Sequence, residues 1–320
     1  MADFDTKAIT TALAANRKSR LQYAEILRRP RLQRSPEVTE QQRLVENRIA
    51  RLLTAAGLDR DELNELGKER QIALRRLAET QKAEIIKHSA SASKSMQSNF
   101  DILRGVVEAT PVPTRLPFDN WVFLDPFLIF SQSGDLDVRA TIEPGNNVAK
   151  VTGEWNTPPP DHYGYSDVSF LFVWGNPRDT YTLVRVASVL GLNGYCSAFA
   201  SGGFYANDYT WLSIAANLGL FVYTPRDYPA PPYQSAQRNE VAQLSAFGGG
   251  WFGVGELKST AIAGSYEVSY DQFIIPPRGV AVFEVSLELL HYIDDGWIQV
   301  DFASGDFKVT CPAVILVVLS

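Results

Sequence analysis

Near residue 110 the chain changes character, and the change limits what it can fold into. Before that point the sequence is charged and helix-patterned; after it come aromatics, glycines and alternating apolar residues. Of the aromatic residues only Phe4, Tyr23 and Phe100 precede residue 111, so all 6 tryptophans lie in the second part. Helices packed as hairpins or coiled coils need Leu and Ile at intervals, whereas a sheet sandwich fills its interior with Phe, Trp, Tyr and Val. An all-α segment followed by an all-β domain is therefore expected. Charge divides at the same place. Residues 1–110 hold 20 of the 30 Lys and Arg but 15 of the 36 Asp and Glu, which leaves this part at +5 and the remainder at −11.

At 320 residues two domains are expected, the second long enough to bury its own core. The reading divides the chain into an α-helical oligomerisation or stalk region at 1–110, a Pro-rich neck at 111–117 and an antiparallel β-sandwich at 118–320. Within the first region, a helix from Asp5 or Thr6 to about Arg28 is stopped by Pro30. Ser35-Pro36-Glu37 supplies an N-cap, a first-turn proline and an acid for a second helix that Gly57 closes. From Asp59 a third pattern runs to the prolines at 111 and 113, and one helix over that stretch would extend about 75 Å. Its apolar positions, among them Leu66, Leu77, Ile85, Met96, Phe100 and Leu103, need a partner surface, and a homo-oligomeric helical bundle or coiled-coil-like stalk is expected to supply it. Polar residues interrupt the seam, and the Ala/Ser run at 89–95 offers a hinge as the alternative to a continuous stalk.

The second part reads as strands separated by turn signals: 121–131, 148–155, 167–174, 180–190, 218–224, 262–270, 280–292, 297–302 and 314–319. Few helical patterns intervene, so a sandwich of jelly-roll or Greek-key type is expected, with a barrel as the all-β alternative. Asp294-Asp-Gly296 is expected to turn strand 280–292 into strand 297–302 as a hairpin. Three segments combine aromatics with proline or glycine: 155–165, 223–233 and 247–253. They nominate Trp155, His162, Tyr163, Tyr165, Tyr223, Arg226, Tyr228, Tyr233 and Trp251 as residues that contact a glycan or a protein receptor. Packing into the ends of the sandwich is the competing role for the same side chains.

Chemistry is hard to find. The three histidines and two cysteines have no zinc spacing, so no metal is expected, and Gly248-Gly-Gly250 precedes neither a helix nor a Lys-Ser/Thr pair. Asp161-His162 near Ser166 lacks a nucleophile-elbow context, and no catalytic residue or cofactor is assigned. The basic run 28–34 lacks the aromatics or groove-reading helix that nucleic-acid binding requires. Cys196 and Cys311 are expected as buried thiols. The N-terminus has no apolar run of signal-peptide length and no stretch spans a membrane, which points to a soluble protein made in the cytoplasm, released or incorporated in an extracellular or virion-like assembly. The expected function is a non-enzymatic structural, assembly or attachment protein whose helices associate and whose β head presents recognition surfaces. The alternatives are a pore-forming or insecticidal-type toxin and a carbohydrate-binding or carbohydrate-processing protein.

Overall fold

The computed structural model describes residues 44, 48, 51–52, 54–57, 60–109, 120–131, 135–143, 147–156, 162–202, 208–223, 234–249 and 255–319. Among them are one long helix, α1 (Arg60–Ala109), and thirteen strands. The strands are β1 (Asn120–Leu124), β2 (Leu128–Phe130), β3 (Leu136–Thr141), β4 (Val148–Asn156), β5 (His162–Gly175), β6 (Thr182–Ala200) and β7 (Asp208–Tyr223). They continue with β8 (Gln234–Gly248), β9 (Glu256–Ile275), β10 (Val280–Ile293), β11 (Gly296–Phe302), β12 (Lys308–Thr310) and β13 (Val314–Val318).

Every observed pairing is antiparallel. The first sheet is organised around β6, whose 19 residues pair with β9 along one edge and with β13, β12 and β11 in succession along the other. Beyond these lie β1 on β13, and β4 with β3 on β11 and β12. The second sheet has the order β2-β5-β10-β7-β8. One apolar core joins the two sheets: Val168, Phe170, Phe172, Leu212, Ile214, Phe283, Val285 and Leu287 from the second share it with Val151, Val186, Leu190, Leu192, Ile298, Val300 and Phe302 from the first. Burial of this core, together with the backbone ladders, is what the aromatic and β-branched content of residues 118–320 provides for.

Strand lengths exceed what the residue pattern shows. Leu190-Gly-Leu-Asn-Gly-Tyr-Cys-Ser-Ala-Phe-Ala200 has no alternation to read, yet every one of its residues is buried because both faces of β6 are covered. The expected strand 121–131 is divided at Asp125-Pro126: β1 belongs to the first sheet and β2 to the second, so the chain crosses between layers there. The expected 280–302 hairpin does not form. β10 is the central strand of the second sheet, with β5 on one edge and β7 on the other, which leaves no edge for β11. The turn instead carries the chain across to the first sheet, where β11 pairs with β4 and β6. Gly296 is needed in this crossing, with φ 151° and an added Cβ that would lie 1.9 Å from the Phe199 carbonyl oxygen.

The bundle or coiled coil expected for 1–110 is not supported. The described positions between Leu44 and Ala55 are helical and Gly57 has φ 76°, while the rest of the first two expected helices lies outside the described residues. α1 runs unbroken through the Ala/Ser run, so no hinge interrupts it there. Its inward stripe is mostly of small side chains, Ala78, Ser89 and Ser93, with Met96 beyond them, all buried at helical spacing, and its middle lies on the outer face of the first sheet. Ala78 packs on Phe199 and Trp297, and the Arg75 guanidinium stands 5.7 Å from the Trp297 ring centroid. Ser259 Oγ donates to Gln81, Gln299 donates to Glu79, and Asn193 Nδ2 donates to the Ser89 carbonyl at 2.9 Å. Arg75 also pairs with Glu154. The β part of the same chain thus covers the middle of α1 around Ala78, Ser89, Ser93 and Met96, while Leu66, Ile72 and Leu77 stay exposed.

Lys82 Nζ reaches Asp301 at 3.3 Å, and both side chains are mostly buried. Burial alone would lower the Lys82 pKa, but hydrogen bonding to Glu79 and the charges of Asp301 and Glu79 leave it raised. For Asp301, burial pushes upward, and donation from the Ser304 hydroxyl and the Ala303 and Ser304 amides, with the Lys82 charge, leaves it lowered. Both cysteines are buried and free. Burial pushes the Cys311 thiol up to about 12 against the opposing hydrogen bond from Ser188. Among the described residues no helix is long and apolar enough to cross a membrane.

Candidate functional site

Alternation along β10 gives its two faces different chemistry. Ala281, Phe283, Val285, Leu287, Leu289 and Ile293 enter the shared core, so Val282, Glu284, Ser286, Glu288, Leu290 and Tyr292 belong to the outer face of the second sheet. Cross-strand register extends each of these positions into a rung. Tyr292 stands between Tyr163 on β5 and Trp211 on β7. Leu290 stands between Tyr165 and Ser213, Glu288 between Asp167 and Ala215, Ser286 between Ser169 and Asn217, and Glu284 between Leu171 and Gly219. At the far end Val282, Leu171 and Phe221 form an apolar cluster backed by Phe127, Leu128 and Phe130.

The outer face therefore passes from an aromatic rim, through a polar floor, to an apolar end. The rim crosses four strands. Tyr163, Trp211 and Tyr209 are half-buried, Tyr292 is buried and Phe247 on β8 is 63% exposed. Tyr209 bridges them, its ring centroid 4.8 Å from that of Phe247 and 6.1 Å from that of Tyr292.

Behind the rim lie three carboxylates, Asp167, Glu284 and Glu288, all within a few per cent of complete burial. Buried charge of this kind has to be paired or hydrogen-bonded. Tyr165 Oη donates to Glu288 Oε1 at 3.2 Å and Arg238 Nε donates to Glu288 Oε2 at 3.2 Å. A second Arg238 nitrogen, Nη2, donates to Ser213 Oγ at 3.2 Å. Ser169 Oγ donates to Glu284 Oε1 at 2.6 Å, and Asn217 Nδ2 is 3.5 Å from Ser286 Oγ. The floor so built holds fixed carboxylate acceptors beside amide, hydroxyl and guanidinium groups. Among the described residues no group of three or more His, Cys, Asp and Glu side chains could hold a metal ion.

Of the residues nominated from sequence, Tyr163 and Tyr165 occupy the rim and its adjoining rung. Trp155 does not lie in a loop. It ends the inward-facing row of β4, only 6% exposed, with its ring 4.3 Å from that of the fully buried His291. His162 opens β5 opposite Ile293, and Tyr223 ends β7 opposite Val280. Arg226, Tyr228, Tyr233 and Trp251 lie outside the described residues. On α1, Leu66 and Leu77 are 59% and 46% exposed, Ile85 is half-buried and Met96 is buried within the single chain. The side chains of Phe100 and Leu103 lie outside the described residues.

Sequence reasoning missed Trp211, Tyr209, Tyr292, Glu288 and Arg238 as one site. The alternation of β10 did place Glu284, Ser286 and Glu288 on one face, and three polar residues in a strand of such apolar character mark an unusual surface. The strands that complete it are set by long-range register.

No family model matches the chain, and no curated protein matches it. Among solved structures it has likeness to TmCBM61 in complex with beta-1,4-galactotriose, at 14% identity over 59% of this chain and 87% of that one, with a TM-score of 0.17. A second likeness is to the C-terminal family 22 carbohydrate binding module of Clostridium thermocellum Xyn10B, at 11% identity over 63% of this chain and 96% of that one, TM-score 0.20. A third is to infectious bursal disease virus Gx strain, at 9% identity over 65% and 46%, TM-score 0.13. At TM-scores of 0.20 and below these likenesses carry no argument.

Proposed function

We propose that the protein is a non-enzymatic attachment protein whose β part, a jelly-roll-type sandwich, recognises carbohydrate on the outer face of the β2-β5-β10-β7-β8 sheet. The observation that carries the reading is the juxtaposition of the Tyr163, Tyr292 and Trp211 rung with the Tyr165, Glu288 and Arg238 network. Aromatic faces suit the CH-rich face of a sugar ring, and the partly exposed Arg238 guanidinium, held in place by Glu288, donates to its hydroxyls. The helical region serves as the arm through which copies associate, supported by Leu66 and Ile72 remaining 59% and 54% exposed on α1. The test is a glycan array followed by titration calorimetry on the best ligand, with wild type beside Trp211→Ala. Loss of the buried-aromatic contact should cost about 2 kcal/mol, roughly thirtyfold in Kd. Absence of binding to every glycan, or wild-type affinity in Trp211→Ala, would sink the proposal.

A further inference from the structure

Phe247 belongs to two surfaces at once. Its ring meets Tyr209 at the end of the aromatic rim, and the same residue lines a groove of about 700 Å³ between α1 and the adjoining ends of β8 and β9. The groove wall on the helix side includes Arg70, Leu77 and Gln81, and on the sheet side Leu257 and Ser259. Its volume is within the range of ligand-binding clefts, and its lining mixes apolar and polar groups as such clefts do. Gln81 accepts from Ser259 through Oε1, which leaves its NH2 group as a donor, and the Arg70 guanidinium makes no ion pair among the described residues. Leu77 and Phe247 supply flat or broad apolar contact on opposite walls, 46% and 63% exposed.

We infer that this groove is a second carbohydrate subsite, continuous with the aromatic rim through Phe247, so that α1 forms one wall of the binding site. The inference rests on the carbohydrate reading of the rim. The occupant is the extension of the same neutral glycan chain: its first sugars stack on Trp211 and Tyr209, and its following sugars pass Phe247 into the groove. Apolar contact with Leu77 and Leu257 and donation from Gln81 and Arg70 then add affinity that short ligands cannot reach.

The experiment compares a graded series of one array-selected neutral oligosaccharide, from disaccharide to hexasaccharide, on the full chain and on Leu77→Glu, Gln81→Ala and Arg70→Ala. Wild type should bind the longer members more tightly, and Leu77→Glu should lose about tenfold for the hexasaccharide while changing disaccharide binding less than about twofold. Gln81→Ala, a milder change at an exposed position, guards against misfolding and should lose in the same length-dependent way. Equal affinity across the series, or losses independent of length, would overturn the subsite while leaving the rim intact. Wild type that binds no member of any series removes the carbohydrate reading itself, and this inference with it. If the groove instead seats a second copy, Leu77→Glu will convert a dimer to a monomer in light scattering without changing glycan affinity, which also overturns the subsite.

Discussion

Gly296→Ala offers the sharpest check on how β11 enters the first sheet. In the native backbone Gly296 has φ 151° and stands opposite Ala200, so a Cβ would meet the Phe199 carbonyl oxygen at 1.9 Å and Thr210 Oγ1 at 3.0 Å. The atom in the way is backbone, in the 190–200 half of β6 where every residue is buried, so it cannot rotate aside. A residue forced into that φ region costs about 1–3 kcal/mol. Overpacking of a close-packed site costs about 1–3 kcal/mol more, which gives a total near 4 kcal/mol. For a domain of this size such a loss lowers Tm by about 10 °C. The assay is urea unfolding followed by far-UV circular dichroism and Trp fluorescence, with the m-value checked so that a change in midpoint reports stability. Gly175→Ala is the matched control, because nothing lies within 4 Å of its added Cβ. Gly296→Ala within about 1 kcal/mol of wild type, or Gly175→Ala equally destabilised, would refute the reasoning.

Three further outcomes are expected. Asp301 has a lowered pKa, so its stabilisation is present above the unfolded value of 3.8 and lost as pH falls through the folded one. Lys82 has a raised pKa, so its stabilisation is present below 10.5 and lost as pH rises through its folded value. The stability gap between wild type and an Asp301→Asn/Lys82→Met variant should therefore be flat across neutral pH and shrink at both extremes; a gap that peaks or vanishes near neutrality contradicts a stabilising Lys82–Asp301 pair. Gly164→Ala places a Cβ 2.2 Å from the His291 imidazole, within the core beside Trp155, and thermal unfolding should show a loss of about 2 kcal/mol or more. Cys311, pushed up to about 12 by burial, and the equally buried Cys196 should resist a thiol reagent at pH 8 in the native protein and both react in denaturant; rapid native labelling would show that the core is open.

The broad architecture was legible in the sequence because it follows from composition and period. Aromatic and β-branched bulk after residue 118 marked an antiparallel β structure, and the alternation at 280–292 located β10 to within a residue. The bounds of helix α1 were marked by Asp59 before it and Pro111 after it, but the Ala/Ser run at 89–95 left its continuity open, because small residues serve a hinge and a close-packed helix face alike. β8 was missed because Gln234-Ser-Ala-Gln-Arg-Asn-Glu-Val-Ala-Gln-Leu is polar and carries no strand propensity; its pairing with β7 makes it a strand. The Asp294–Gly296 turn looked like a hairpin because a local turn signal does not reveal that β5 and β7 already occupy both edges of β10. The same limit hid the site. Tyr163, Trp211, Tyr292 and Glu288 come from three strands of the second sheet, and only their register brings them together. Trp155 was nominated for its proline-rich neighbourhood, yet its position in β4 alternation, three inward steps after Ala149, was the better guide to its burial. The docking face of α1 escaped notice because Ala78, Ser89 and Ser93 form a stripe without apolar mass, suited to close approach to a sheet.

The central claim is that the outer face of the second sheet takes carbohydrate. Hydroxyl-radical footprinting of the full chain with and without a saturating array-selected oligosaccharide tests it most directly. Tyr209, Trp211 and Phe247 are reachable on the rim, and Tyr181, 69% exposed and outside it, serves as the internal reference. The account expects ligand to protect Tyr209, Trp211 and Phe247 and to leave Tyr181 unchanged. Protection confined to the β1 and β13 surface of the first sheet, or none at the rim under saturation, would contradict it.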